Sequence, residues 1–112
     1  MANLMVGHQP KPTPADLKRY RALQDLGCVA CYLSGVRHVP CEIHHIVEGN
    51  KRLGNQASLS LCPYHHRGVI ESVWDRFKGP SLANDKRKFV AEFGTERELL
   101  SKVNQLIGDL CY

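Results

Sequence analysis

The chain has 112 residues, 43% of them hydrophobic and 23% charged, which is ordinary for one soluble globular domain. No stretch approaches the roughly 18 apolar residues that a membrane span requires, so no membrane-spanning helix is expected. The net charge of +4 and pI near 8.9 tilt the expectation towards an anionic partner, and with three Phe, one Trp and four Tyr the core is lean enough to call for a staple.

From the N-terminus, residues 1–13 read as a flexible Pro-rich tail, and residues 14–112 as one domain. "MANLMVGHQPKPTP" lacks the apolar run and cleavage pattern of a secretory signal, so an intracellular, cytoplasmic setting with reduced thiols is expected. The first helix should start at Pro14, with Thr13 as N-cap, Asp16 closing a capping box and Gly27 as the stop. Leu17, Tyr20, Leu23 and Leu26 recur at helical spacing, and Lys18, Arg19 and Arg21 make a basic face that is either solvated or in contact with nucleic acid.

"CVACYLSGVRHVP" then reads as a knuckle and loop. "CEIHHIV" and "ASLSLC" predict two strands, the second by its alternation, joined through the turn-rich "EGNKRLGNQ" into a β-hairpin. "PYHHRGVIESVWDRF" opens on Pro and reads as one helix, broken at "KGPS". "LANDKRKFVAEF" predicts a helix ending at Gly94. "TERELLSKVNQLIGDL" predicts another, with a Thr95/Glu98 capping box and Leu99, Val103, Leu106 and Leu110 on one face.

Ligand-type residues fall in two short pairs, Cys28-x-x-Cys31 and Cys62-x-x-His65. A two-residue gap turns both side chains of a pair onto one ion, and two such pairs complete the tetrahedron that zinc prefers. Closing the long loop between them supplies stability to a thin core. A redox C-x-x-C would want a βαβ context, which this order of elements does not provide. Cys41 is expected to pack as a small apolar group, and Cys111 to lie at a frayed end.

A full zinc sphere leaves His44, His45 and His66 over. With zinc fixing the start of the helix at His66 beside the hairpin that carries His44 and His45, the three can face one small volume, a second site.

The phrases "LGCVAC", "EIHHIVEG", "LCPYHHRG" and "FVAEFGTERELL" resemble the HNH nucleases with their ββα-metal core. More narrowly they resemble the phage recombination-enhancement Ref family of RecA-dependent nucleases, from about residue 25 to residue 103. The resemblance implies an α+β fold, with an N-terminal helix and two C-terminal helices around the ββα core. It implies a metal-dependent DNA endonuclease that leaves 5′-phosphate and 3′-hydroxyl ends, encoded by a phage or prophage and acting in the bacterial cytoplasm.

Carried over by position, His45 would be the general base. His44 and His66 would hold the catalytic metal, and Asn55 is the nearest match to the family's asparagine, with Gln56 and Ser58 as neighbours that could replace it. Two imidazoles are softer than the oxygen ligands that magnesium favours, so manganese is expected beside Mg2+. Arg67, Lys51 and Arg52 are expected to contact DNA phosphates, and Lys86, Arg87 and Lys88 are either further contacts or a solvated face. Glu42 alternates with His44 along the strand and can hydrogen-bond a metal-binding histidine, whereas Glu48 reads as a loop residue. His8 and His38 receive no role. A RecA filament is the implied partner. A catalytically silent zinc module that binds nucleic acid or protein is the competing reading, and the three extra histidines weigh against it.

Overall fold

A computed structural model describes residues 11–108. The elements run α1 (Pro14–Leu26), α2 (Val29–Leu33), β1 (Glu42–His45), β2 (Val47–Glu48), β3 (Lys51–Arg52), β4 (Ser58–Leu61), α3 (Pro63–Arg67), a 3₁₀ turn over Val73–Phe77, α4 (Lys86–Phe93) and α5 (Glu96–Gly108). The fold is α+β, and no helix among the described residues is long and apolar enough to cross a membrane. The expected tail lies largely outside the described residues, as do His8, Leu110 and Cys111.

The start of α1 follows the chemistry of its first residues. The Asp16 amide donates to Thr13 Oγ1 at 3.1 Å and the Thr13 amide to Asp16 Oδ2 at 3.0 Å, closing the capping box. Gly27 ends the helix at φ +82°, ψ −172°, a conformation close to glycine-only, and sits against the backbone of His38 and Val39.

The buried face of α1 differs from the apolar spacing: Asp16, Arg19, Ala22, Leu23 and Leu26 point inward, while Leu17 is 53% exposed. Arg19, expected on the solvated face, is buried. Its Nε donates to Ser58 Oγ at 2.9 Å, one terminal nitrogen to the Ser58 carbonyl at 2.6 Å, and the other to Asn104 Oδ1 at 2.7 Å. A charge can be buried where every donor finds an acceptor, and here that bundle ties α1 to β4 and α5.

β1 and β4 pair antiparallel, with Glu42 opposite Leu61 and His45 opposite Ser58. Between them β2 and β3 form a small second hairpin that carries Lys51 and Arg52, and buried Ile46 separates β1 from β2. Glu48, read as a loop residue, is therefore a strand residue. All four residues of β4 are buried, because helices cover both of its faces. Its Leu/Ser alternation separates bulky from small side chains rather than core from solvent.

Leu23, Leu26, Val29, Ile46, Leu59, Leu61, Phe89, Leu99 and Val103 make the core. The single helix expected from Pro63 to Phe77 stops after five residues. Gly68 takes φ +74° and its amide caps α3. The chain then runs irregularly into the 3₁₀ turn, and Val73, Trp74 and Phe77 are left exposed. α4 likewise starts at Lys86 rather than at Leu82, where the expected helix begins.

Candidate functional site: two clusters on one hairpin

Cys28 and Cys62 are the N-caps of α2 and α3, each Sγ accepting an amide hydrogen bond from the residue three positions on. Each pair thus turns both ligand atoms to one side of a helix start. His65 Nδ1 lies 3.6, 3.5 and 3.3 Å from the sulfurs of Cys28, Cys31 and Cys62, and the Cys31 and Cys62 sulfurs are 3.9 Å apart. A zinc tetrahedron has S···S edges of about 3.8 Å and S···N edges of about 3.6 Å. The four ligand atoms all lie within 4.8 Å of one another and the residues are buried, so the donor set fits a structural zinc in both chemistry and size.

The hydrogen bonds around the cluster agree with that fit. His65 Nε2 lies 3.0 Å from the Lys78 carbonyl, so Nε2 carries the proton and Nδ1 is the free ligand. The neighbouring Cys28 and Cys31 sulfurs drag the Cys62 thiol far below its ordinary range, while Cys28 and Cys62 push Cys31 far above it. Tyr64, Phe89 and Phe93 surround the His65 ring and shield the cluster. Cys41 is partly buried, with its thiol pushed up to about 11 by burial and by the charges of Cys28 and Cys62.

The second cluster lies on the half-buried face where β1 meets α3. His44 Nδ1 and His66 Nε2 are 3.2 Å apart. The far nitrogen of each ring meets a carboxylate: His44 Nε2 lies 2.6 Å from Glu96 Oε2, and His66 Nδ1 lies 2.9 Å from Glu42 Oε1. A carboxylate only accepts, so both of those nitrogens bear hydrogen. The two facing nitrogens are then both lone pairs, and their approach requires a cation between them, a proton or a metal ion. Two nitrogens bound to one ion at about 2.1 Å stand about 3.0–3.4 Å apart, a range that includes this separation.

Glu42 also takes Arg67 in a two-pronged pair at 2.9 and 2.5 Å. Those bonds, opposed by burial and aided by His66, hold its carboxyl down to about 2. Arg67, expected to be free for phosphate, is therefore committed to Glu42, which also orients His66. Glu48 is paired in the same way with Arg97, at 2.6 and 2.7 Å.

His45 has different neighbours from His44, since adjacent strand residues point to opposite faces. Its Nε2 lies 3.0 Å from the Tyr20 hydroxyl of α1, and the Asn55 side chain is close by. Burial first, then the charges of Arg52 and His44, push its pKa below the ordinary value. Asn55 Nδ2 and Gln56 Nε2 in turn donate to the two oxygens of Asp16, at 3.0 and 2.6 Å. The expected meeting of three histidines in one volume is thus made directly by His44 and His66, while His45 stands on the Tyr20–Asn55 side. Lys51 is exposed and Arg52 half-exposed beside His45. Lys86, Arg87 and Lys88 are exposed on α4.

Glu96 and Tyr20 were not singled out in the sequence. Glu96 lies 52 positions from His44, and nothing local marks it. Tyr20 reads from its spacing as a packing residue of α1, and its place on one face with Asp16, whose carboxylate holds the hairpin loop, is what brings it to the site. A family model described as recombination enhancement, RecA-dependent nuclease matches the chain over residues 12–108.

Proposed function

The chain belongs to the recombination-enhancement, RecA-dependent nucleases, and on that footing we propose that it is a DNA endonuclease of the HNH type, in which one divalent metal and a histidine base hydrolyse a phosphodiester. The observation that carries this reading is the pair of lone-pair nitrogens on His44 and His66, 3.2 Å apart, each with its other nitrogen committed to a carboxylate.

His44 and His66 would hold Mg2+ or Mn2+, which when bound supplies charge neutralisation at the phosphate and at the departing 3′ oxygen. His45 takes the proton from the attacking water at a ring nitrogen. Its lowered pKa keeps the imidazole neutral near pH 7, as a base must be. Tyr20 holds that ring in place, with Asn55 beside it on the loop that Asp16 ties down. Arg52, beside His45, and Lys51 at the hairpin edge would meet the phosphate backbone. Arg67 reaches it only by sharing or leaving Glu42. Zinc held by Cys28, Cys31, Cys62 and His65 would fix α3, and so where His66 stands relative to β1. The substrate is DNA, the proposed partner a RecA filament, and the setting the bacterial cytoplasm.

The test is nicking of supercoiled and single-stranded DNA by wild type and His45→Ala, with Mg2+ or Mn2+, with and without RecA filaments, and with zinc content measured in both proteins. Cleavage lost in His45→Ala at full zinc content supports the base assignment. Cleavage that appears only with RecA supports the partner. No metal-dependent cutting under any of these conditions would overturn the reading in favour of a silent binding module.

A further inference from the structure

Glu96 belongs to α5, outside the ββα core, yet its carboxylate approaches His44 more closely than any other group does. Oε2 lies 2.6 Å from His44 Nε2, and Oε1 lies 3.6 Å from Lys86 Nζ, while both the His44 and Glu96 side chains are largely shielded, at 18% and 15% exposure. The ordinary duty of an acidic residue in a first helical turn is to cap that turn. Here Thr95 and Glu98 already do so, by reciprocal hydrogen bonds of 3.1 and 2.7 Å. Glu96 is therefore spare for another role.

We infer that Glu96 is a positioning residue of the nuclease centre: by accepting the His44 Nε2 hydrogen it fixes which nitrogen of His44 is free, and so aims the Nδ1 lone pair at His66. Without it His44 can carry its hydrogen on Nδ1 instead, turning a donor towards His66 and closing the gap to a cation. Glu42 does the same for His66 from within the hairpin. The next residue of α5, Arg97, grips Glu48 of β2, so two consecutive residues at this helix start hold the hairpin in different ways. The neighbouring ion pair is then an internal control: it docks the same helix but touches neither histidine.

The inference rests on the reading of His44 and His66 as a cation site, and the experiment separates the two. Mn2+ binding to the zinc-loaded full chain is titrated by the electron paramagnetic resonance signal of free Mn2+, for wild type, Glu96→Ala, Glu96→Gln, Arg97→Ala and His44→Ala. Glu96→Ala is expected to keep its zinc and to bind Mn2+ roughly 10–100-fold more weakly, the usual cost of losing a partner that orients a metal-binding histidine. Glu96→Gln, whose amide oxygen still accepts, is expected to recover part of that loss, and Arg97→Ala to bind as wild type does. Unchanged Mn2+ affinity in Glu96→Ala, with binding lost in His44→Ala, would overturn the role of Glu96 and leave the cation site standing. An equal loss in Arg97→Ala would overturn it too, by making helix docking the cause. If wild type and His44→Ala bind Mn2+ alike, or neither binds, the cation site itself fails.

Discussion

His65 and His66 are neighbours on one turn of α3 and serve different clusters: His65 Nδ1 faces three cysteine sulfurs at 3.3 to 3.6 Å, while His66 Nε2 faces His44 Nδ1 at 3.2 Å. Consecutive positions on a helix point about 100° apart, so one short turn can reach into a buried cluster and along the hairpin surface at once. Substituting them should therefore give opposite results. His65→Ala is expected to lose zinc and, with it, cooperative unfolding, because a structural metal's binding energy is largely folding energy. His66→Ala is expected to keep zinc and melting temperature while cleavage falls by roughly 100-fold or more, since several kcal/mol of charge stabilisation are at stake and each 1.36 kcal/mol is tenfold. Zinc content, thermal melting and plasmid nicking on both variants check this. A His66→Ala protein that cuts DNA at the wild-type rate would sink the assignment.

The Asp16 carboxylate links the cap of α1 to the hairpin loop through Asn55 and Gln56, and this should be visible as a pH dependence of stability. The Thr13 amide first, then the Gln56 and Asn55 amides, hold its carboxyl down to about 2 from an ordinary 3.8. A depressed pKa means that the unfolded chain takes up the proton first. The contribution is then complete above the unfolded value and is lost as pH falls through the folded one. The gap in urea midpoint between wild type and Asp16→Asn, at equal zinc occupancy, should be flat from neutral pH down to about 4.5 and shrink only below about pH 4. A gap that narrows between pH 7 and 5 would assign the dependence to another group.

Much of this was legible beforehand because the signals were local. Thr13, Pro14, Asp16 and Gly27 predict α1 to the residue, since caps act over one turn. The Cys-x-x-Cys and Cys-x-x-His spacings predict the zinc cluster, since ligand geometry also acts over one turn. Failures occurred where a distant partner decides. Arg19 reads as a solvated cation until Ser58 and Asn104, 39 and 85 positions away, supply its acceptors. Ser58 and Ser60 read as a polar face until helices cover it. The helix beginning at Pro63 reads as continuous until Gly68 takes a left-handed turn. The histidines were legible as a pair of doublets, but the α5 carboxylate beside His44 and the α1 hydroxyl beside His45 were not, because no sequence period connects them.

Gly27 makes a stability prediction with an internal comparison. A Cβ there would lie 2.8 Å from the Val39 nitrogen and 2.9 Å from His38 Cα and the Val39 carbonyl, all backbone atoms that cannot rotate away. The same Val39 carbonyl accepts the Cys28 amide at 2.9 Å, so a shift there is felt at the first zinc ligand. Gly27→Ala should cost at least about 2 kcal/mol from backbone strain and overlap together, or roughly 10 °C in melting temperature. Gly49 has φ +63° with nothing near its Cβ position, so Gly49→Ala should cost only about 1 kcal/mol. Thermal melts of the two zinc-loaded variants decide the matter, and equal losses would contradict the close approach.

Tyr20 offers the sharpest test of how His45 is held. Burial first, and then the charge of Asp16, raise the Tyr20 pKa, so its hydroxyl stays protonated and can serve His45 Nε2 as donor or acceptor at 3.0 Å. The ring edge also packs against His45, with centroids 5.8 Å apart. Tyr20→Phe keeps that packing and removes only the hydroxyl. A hydrogen bond of about 1–1.5 kcal/mol that orients the base should then appear as a fall in cleavage of about tenfold, with zinc content unchanged and only a small loss of stability. Asn55→Ala should act in the same direction and more strongly, because Asn55 also ties the loop to Asp16. Single-turnover nicking rates separate these effects from DNA binding. If Tyr20→Phe cleaves as fast as wild type while His45→Ala is inactive, the hydroxyl is a packing neighbour of the base and not its support.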